Sequence, residues 1–170
     1  MRDLISQVTI LQTVALIESS GIDPRRIIIE VTETALMQDY ERVQESLRIL
    51  RSMGLKVALD DFGSGQSSLS YVHQLSLDKI KIDRGFIRNI AVQENARNIV
   101  KTVIDLCRNL KFDCVVEGVE TAEQVEIIRQ LGCSTMQGYF FAKPMSQDEV
   151  ANFIADFRSS NRRKMEAAAG

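Results

Sequence analysis

Polar residues recur in this sequence where short apolar runs end. Glu30 follows Ile27-Ile28-Ile29, and the adjacent acids Asp60 and Asp61 follow Val57-Ala58-Leu59 and precede Phe62-Gly63-Ser64-Gly65. Lys81 lies inside Lys79-Ile80-Lys81-Ile82-Asp83, Glu117 follows Cys114-Val115-Val116, and Gln137 closes the next short run. Side-by-side carboxylates repel one another and resist desolvation, so a fold that gathers them must supply cations or water. Carboxylate and amide oxygens with few imidazoles suit a hard cation, Mg²⁺ or Mn²⁺, better than zinc. Two such ions would clamp a phosphodiester. The single histidine, His73, has no partner at ligand spacing and is assigned no role.

Each of these residues also has a plain structural use. Asp before Gly makes turns, Lys81 can snorkel, Glu30 can pair with a core Arg, and acids beside a helix start favour its dipole. Their recurrence at one level of successive strands is what favours a shared site, because the carboxyl ends of the strands of a β/α barrel open onto one face.

The elements that would carry them alternate. Leu4, Val8, Leu11 and Ala15 predict an N-terminal helix with one apolar stripe, stopped by Gly21 and Asp23-Pro24. The run from Ile27 to Val31 predicts a buried strand, and Asp39 opens a helix that turns Val43, Leu47 and Leu50 inward before Gly54. The strand around Val57–Leu59 follows, then a short helical piece over Ser67–Val72. Next come the period-two strand Lys79–Asp83 and a helix from Asn95 to Leu110 carrying Ile99, Val103, Leu106 and Leu110. Strand Cys114–Glu117 leads to the capping box Thr121/Gln124 and a helix with Val125, Ile128 and Leu131. A short strand over Ser134–Gln137 leads to a second box, Ser146/Glu149, and a last helix bearing Val150, Phe153, Ile154 and Phe157. The prediction is an α/β fold of about five parallel β/α units after an N-terminal helix. That is an incomplete TIM-like barrel over residues 1–158, with residues 159–170 as a disordered tail.

Composition narrows the function. With 170 residues, 45% hydrophobic and a net charge of -2, the chain can bury one core and has no basic field for a nucleic-acid polymer. The first residues mix charge with apolar side chains and no run approaches a membrane span, so a cytoplasmic protein without a membrane partner is expected. Cys107, Cys114 and Cys133 lack metal-site spacing and are expected as reduced core thiols.

Five ordered motifs resemble those of the EAL domain family. They are Glu30-Val31-Thr32-Glu33, Asp60-Asp61-Phe62-Gly63-Ser64-Gly65, Lys81-Ile82-Asp83-Arg84, Glu117-Gly118-Val119-Glu120-Thr121 and Gln137-Gly138-Tyr139. The resemblance implies a β/α barrel that hydrolyses cyclic di-GMP to linear pGpG with two Mg²⁺ or Mn²⁺ ions. It implies that Glu30, Asp60, Asp61 and Glu120 belong to the metal site. Lys81 would orient the attacking water, Glu117 would act as general base or water anchor, and Gln137 would touch the same water network. Glu33 would brace the loop after Asp61.

The chain departs from the family pattern in what it lacks. The signature Glu-Ala-Leu, whose Glu binds metal, is absent, and the family's metal-binding Asn would precede Met1. Three of the family's eight strands are unmatched, so an open sheet edge is expected, covered by another copy or a partner domain. Ser64 stands for the usual Thr, Gln66 for Tyr and Gly85 for Ser. Two readings follow: a phosphodiesterase domain impaired in this form, or a degenerate relative that binds nucleotide or protein without catalysis.

Overall fold

Four parallel strands lie in the order β1 (Ile28–Thr32), β2 (Lys56–Phe62), β3 (Lys79–Ile82) and β4 (Asp113–Val116). The computed structural model describes residues 7–63, 72 and 75–168. Strands adjacent in sequence are adjacent in the sheet, which is how the wall of a β/α barrel is wound. Among the described residues seven α-helices accompany them: α1 (Gln7–Ser20), α2 (Glu33–Gln38), α3 (Tyr40–Ser52), α4 (Arg84–Ile87), α5 (Glu94–Leu110), α6 (Ala122–Gln130) and α7 (Gln147–Ala168). The fold is the expected α/β arrangement, an incomplete barrel.

The central strands are buried on both faces, as continuous apolar runs require when helices cover a parallel sheet. Val57, Ala58, Ile80, Ile82 and Val116 are 0% exposed. Each buried aliphatic side chain of this size contributes about 1.5–3 kcal/mol relative to exposure. Asp39 accepts from Arg42 N at 3.3 Å to start α3, and Val43, Leu47 and Leu50 are buried as expected. Both predicted capping boxes form, at Thr121/Gln124 and Ser146/Glu149.

Several elements differ from the sequence reading. The fifth strand shrinks to one parallel bridge between Val116 and Met136, held by Val116 N to Thr135 O at 3.1 Å and Gln137 N to Val116 O at 2.8 Å. Turn hydrogen bonds from Phe141 N and Ala142 N to Gly138 O then draw the chain out of the ladder. On α1 the buried stripe is Ile10, Val14 and Ile17 against Leu50 and Leu55, while Leu11 and Ala15 face solvent. On α5 the buried positions are Ala96, Val100, Val103, Ile104 and Cys107, so Ile99 and Leu110 turn outward. In both helices the apolar residues exceed the width of one face, and sheet contact selects which are buried.

The last helix departs most. Val150, Phe153, Ile154 and Phe157 are all exposed, and Phe153 stacks on Phe157 at 6.1 Å. Its backbone runs on as helix through Ala168. Arg, Lys, Met, Glu and Ala in that stretch are strong helix formers and carry the helix without a stripe to bury. The expected helical piece at Ser67–Val72, the substituted Ser64 and Gln66, and His73 lie outside the described residues, except that Val72 is helical and buried.

Among the described residues β1 pairs only with β2, leaving its other edge open, and Ile28 on it is 40% exposed. A groove of about 370 Å³ runs beside this edge, lined by Ile29, Val31, Ala35, Val43 and Leu47.

Candidate functional site

Register decides how the two adjacent acids are displayed. Leu59 pairs with Ile80 and Phe62 with Ile82, so Asp60 and Asp61 together oppose the single residue Lys81. That is a β-bulge, and Asp61 occupies it with φ 54, in the left-handed region that a non-glycine residue seldom enters. In an unbroken strand, neighbouring side chains point to opposite faces. The bulge cancels that alternation, and oxygens of Asp60, Asp61 and Glu117 all lie within 4.8 Å of one another.

Lys81 stands at the middle of this cluster. Its side chain is 8% exposed, and Nζ lies 2.8 Å from Glu117, 2.9 Å from Glu30 and 2.9 Å from Asp60. Glu30 comes from β1, Asp60 from β2, and Glu117 from the residue after β4, whose amide still bonds Ile82 O at 3.2 Å. Burial alone would lower the Lys81 pKa, but the surrounding carboxylates of Glu117, Glu30 and Asp60 outweigh it and raise it. The ammonium therefore stays charged near neutral pH and only donates. Burial, with the charges of Asp60 and Asp83, raises the Asp61 pKa against the pull of Lys81 and Arg84.

Two loops hold the rim. Glu33, 3% exposed at the start of α2, accepts a hydrogen bond from Gly63 N at 2.9 Å, which ties the end of β2 to the helix after β1. Gln124 does more than close its capping box. Its Oε1 accepts from Glu120 N and Thr121 N, and its Nε2 donates to Ile87 O at 3.1 Å, so one buried amide fixes the loop after Glu117 against α4. The capping pattern was legible in the sequence, but the reach to Ile87 was not, although an amide can donate and accept at once where a carboxylate cannot. Asp83, passed over as a site residue, caps α4 through Gly85 N at 2.8 Å. At Gly138 an added Cβ would sit 2.2 Å from Val119 O, so only glycine lets the segment after Gln137 lie against this loop.

The expected residues do not all meet. Asp60, Asp61, Glu117, Glu30 and Lys81 form one constellation, with Glu117 inside the carboxylate cluster rather than apart from it. Glu120 and Gln137 are exposed, and among the described residues neither joins the cluster.

The donor set fits a hard divalent cation. Asp60 Oδ1 is buried and, beyond its 2.9 Å ion pair with the Lys81 ammonium, has no hydrogen-bond partner among the described residues. A buried, under-satisfied carboxylate oxygen beside two further carboxylates is chemistry that Mg²⁺ or Mn²⁺ would satisfy.

Comparison with known proteins shows the family. The sequence profile of the EAL domain matches residues 2–144. The chain is 38% identical to the bifunctional diguanylate cyclase/cyclic di-GMP phosphodiesterase MucR of Pseudomonas aeruginosa, over 79% of this chain and 20% of MucR. It superimposes on the PaMucR phosphodiesterase in its c-di-GMP complex with a TM-score of 0.82 at 34% identity, covering 88% of this chain and 61% of that one. Against BlrP1 of Klebsiella pneumoniae in a manganese/cy-diGMP complex the TM-score is 0.77 at 33% identity, over 82% of this chain and 35% of that one. The chain thus spans about a fifth of the curated relatives it matches. Among the described residues no helix is long and apolar enough to cross a membrane.

Proposed function

The chain belongs to the EAL domain family, and on that premise we propose that it carries one part of a metal-dependent site for hydrolysing cyclic di-GMP to linear pGpG. The observation that carries the reading is the bulge that sets Asp60 and Asp61 beside Glu117 around Lys81. Asp60, Asp61, Glu117 and Glu30 would hold Mg²⁺ or Mn²⁺. Bound there, such ions supply a water of lowered pKa and neutralise charge on the phosphodiester.

The chain's own residues do the positioning. Lys81, charged and nearly buried, donates hydrogen bonds to water oxygen and cannot take its proton. Glu117, paired directly with Lys81 at 2.8 Å, is the carboxylate that would accept a hydrogen bond from the same water. Glu33 fixes the loop after Asp61 through Gly63. Glu120 and Gln137 take their family roles only if the loops bearing them turn inward when ligand binds.

This chain has no Glu-Ala-Leu tripeptide, so a ligand of the family site must come from elsewhere. We accordingly expect the chain by itself to bind Mn²⁺ weakly and to form no appreciable pGpG. A neighbouring segment or a second copy would cover the open β1 edge. The test is pGpG formation from cyclic di-GMP with Mn²⁺, for this chain and for a longer form that includes a Glu-Ala-Leu strand. Turnover restored in the longer form supports the reading. Turnover by the isolated monomer at enzymatic rates overturns it, and tight nucleotide binding without pGpG in either form assigns a binding module instead.

A further inference from the structure

Among the described residues the buried polar side chains are Glu33, Ser46, Lys81 and Gln124. Lys81 and Glu33 already belong to the site, and Ser46 spends its hydroxyl on Arg42 O of its own helix at 2.8 Å. Gln124, 7% exposed in the first turn of α6, reaches further. A capping box asks its third helical residue only for an acceptor toward the N-cap amide, and Glu serves there as well as Gln. Gln124 Oε1 meets that need at 3.1 Å from Thr121 N, but it accepts a shorter bond, 2.7 Å, from Glu120 N. Its Nε2 then donates to Ile87 O at 3.1 Å, a bond that a carboxylate could not make.

Ile87 ends α4, the short helix that follows Lys81 after only Ile82 and Asp83. The Gln124 amide therefore joins the loop that carries Glu117 to the segment that carries Lys81. The backbone of that loop is held on the same side. Gly118 has φ 69, and an added Cβ there would lie 2.3 Å from Arg84 Cβ on α4. At its start, Glu117 N bonds Ile82 O at 3.2 Å. Both ends of the segment from Glu117 to Thr121 are thus fastened to the chain leading out of β3.

We propose that Gln124 is a positioning residue for Glu117, holding that carboxylate beside Lys81, Asp60 and Asp61 through the bond to Ile87 O. The metal arm of its test rests on reading this cluster as the metal site. Without the donor, Ile87 O is a buried acceptor that has lost its side-chain partner, and the loop shifts off α4 and takes Glu117 with it. Groups that orient metal ligands matter nearly as much as the ligands, so cation affinity falls with the tether.

Two variants divide the roles of this corner. Gln124→Glu keeps the acceptor of the capping box and removes the donor to Ile87 O. Thr121→Ala removes the N-cap hydroxyl and keeps the tether. Mn²⁺ binding is followed by water-proton relaxation, which reads weak sites, and folding by urea. The expected result is that Gln124→Glu binds Mn²⁺ about tenfold more weakly than the unchanged chain, whereas Thr121→Ala lowers the urea midpoint at unchanged Mn²⁺ affinity. The sign is decisive, because a new carboxylate near the cluster would by charge alone tighten the binding of a cation. Gln124→Glu binding Mn²⁺ as tightly as the unchanged chain, or a loss in Thr121→Ala equal to that in Gln124→Glu, overturns the proposal.

If the unchanged chain binds no more Mn²⁺ than Asp60→Asn does, the metal reading fails, and a measurement without metal decides the role of Gln124. Glu117→Gln, the uncharged Gln124→Met and the double variant are unfolded in urea. Positioning predicts that the two stability losses do not add, since a displaced Glu117 has less of its pairing with Lys81 left to lose. Additive losses overturn the proposal.

Discussion

Asp60 and Asp61, consecutive on β2, present carboxylate oxygens within 4.8 Å of one another to the same cluster, because both stand opposite Lys81 in a bulge. The conformation that permits this is the left-handed backbone of Asp61. Asp and Asn tolerate that region better than other non-glycine residues, and β-branched side chains hardly enter it.

Two substitutions at Asp61 therefore separate backbone from ligand. Asp61→Asn keeps the bulge and the fold but lowers Mn²⁺ affinity by at least about tenfold. Asp61→Val also costs about 1–2 kcal/mol of stability, from strain at positive φ. Calorimetric Mn²⁺ titration and urea unfolding of the two variants read these effects. Equal stability of the two variants would remove the strain from this account.

Glu33 is separated from Gly63 by two helices and a strand, yet their hydrogen bond joins the two motifs. Glu33→Ala leaves the Gly63 amide without this acceptor and lowers stability by about 1–3 kcal/mol. Glu33→Gln retains a carbonyl oxygen to accept from the same amide and loses less. A Glu33→Gln variant as unstable as Glu33→Ala would show that charge, not this hydrogen bond, is what the position supplies.

Lys81 compensates three carboxylates. Removing one partner from a buried ion cluster costs about 3–5 kcal/mol, so Lys81→Met sharply lowers the urea midpoint. Added Mn²⁺ recovers part of the loss, since a divalent cation can take over the compensation. If the midpoint of Lys81→Met proved indifferent to Mn²⁺, these carboxylates would not be its ligands.

The start of α7 is sensitive to acid. Hydrogen bonds from Ser146 N and Ser146 Oγ lower the Glu149 pKa below its ordinary 4.5. A group with a depressed folded pKa stabilises above its unfolded value and loses that contribution as pH falls through the folded one. Amide exchange at Ser146 therefore speeds up below about pH 4.5, beyond the intrinsic pH trend, and Glu149→Gln removes that extra step.

Much of this molecule could be read from its residues alone. Apolar runs ending in acids located β1, β2 and β4, since continuous burial and a polar exit are properties of the local sequence. Asp39, Thr121/Gln124 and Ser146/Glu149 marked helix starts because a cap is satisfied within one turn. The polar strand ends named the candidate site because parallel strands bring their carboxyl ends to one level.

Tertiary structure decided the rest, through contacts between distant segments. Periodicity left open which side of α1 and α5 is buried, and packing against Leu50, Leu55 and the sheet chose Ile10 over Leu11 and Val100 over Ile99. The exposed stripe of α7 carries the pattern of a buried one, since amphipathicity records a need for a partner surface and not its presence. Strict alternation would send Asp60 and Asp61 to opposite faces. Their meeting depends on a register shift against β3, which neither strand encodes alone.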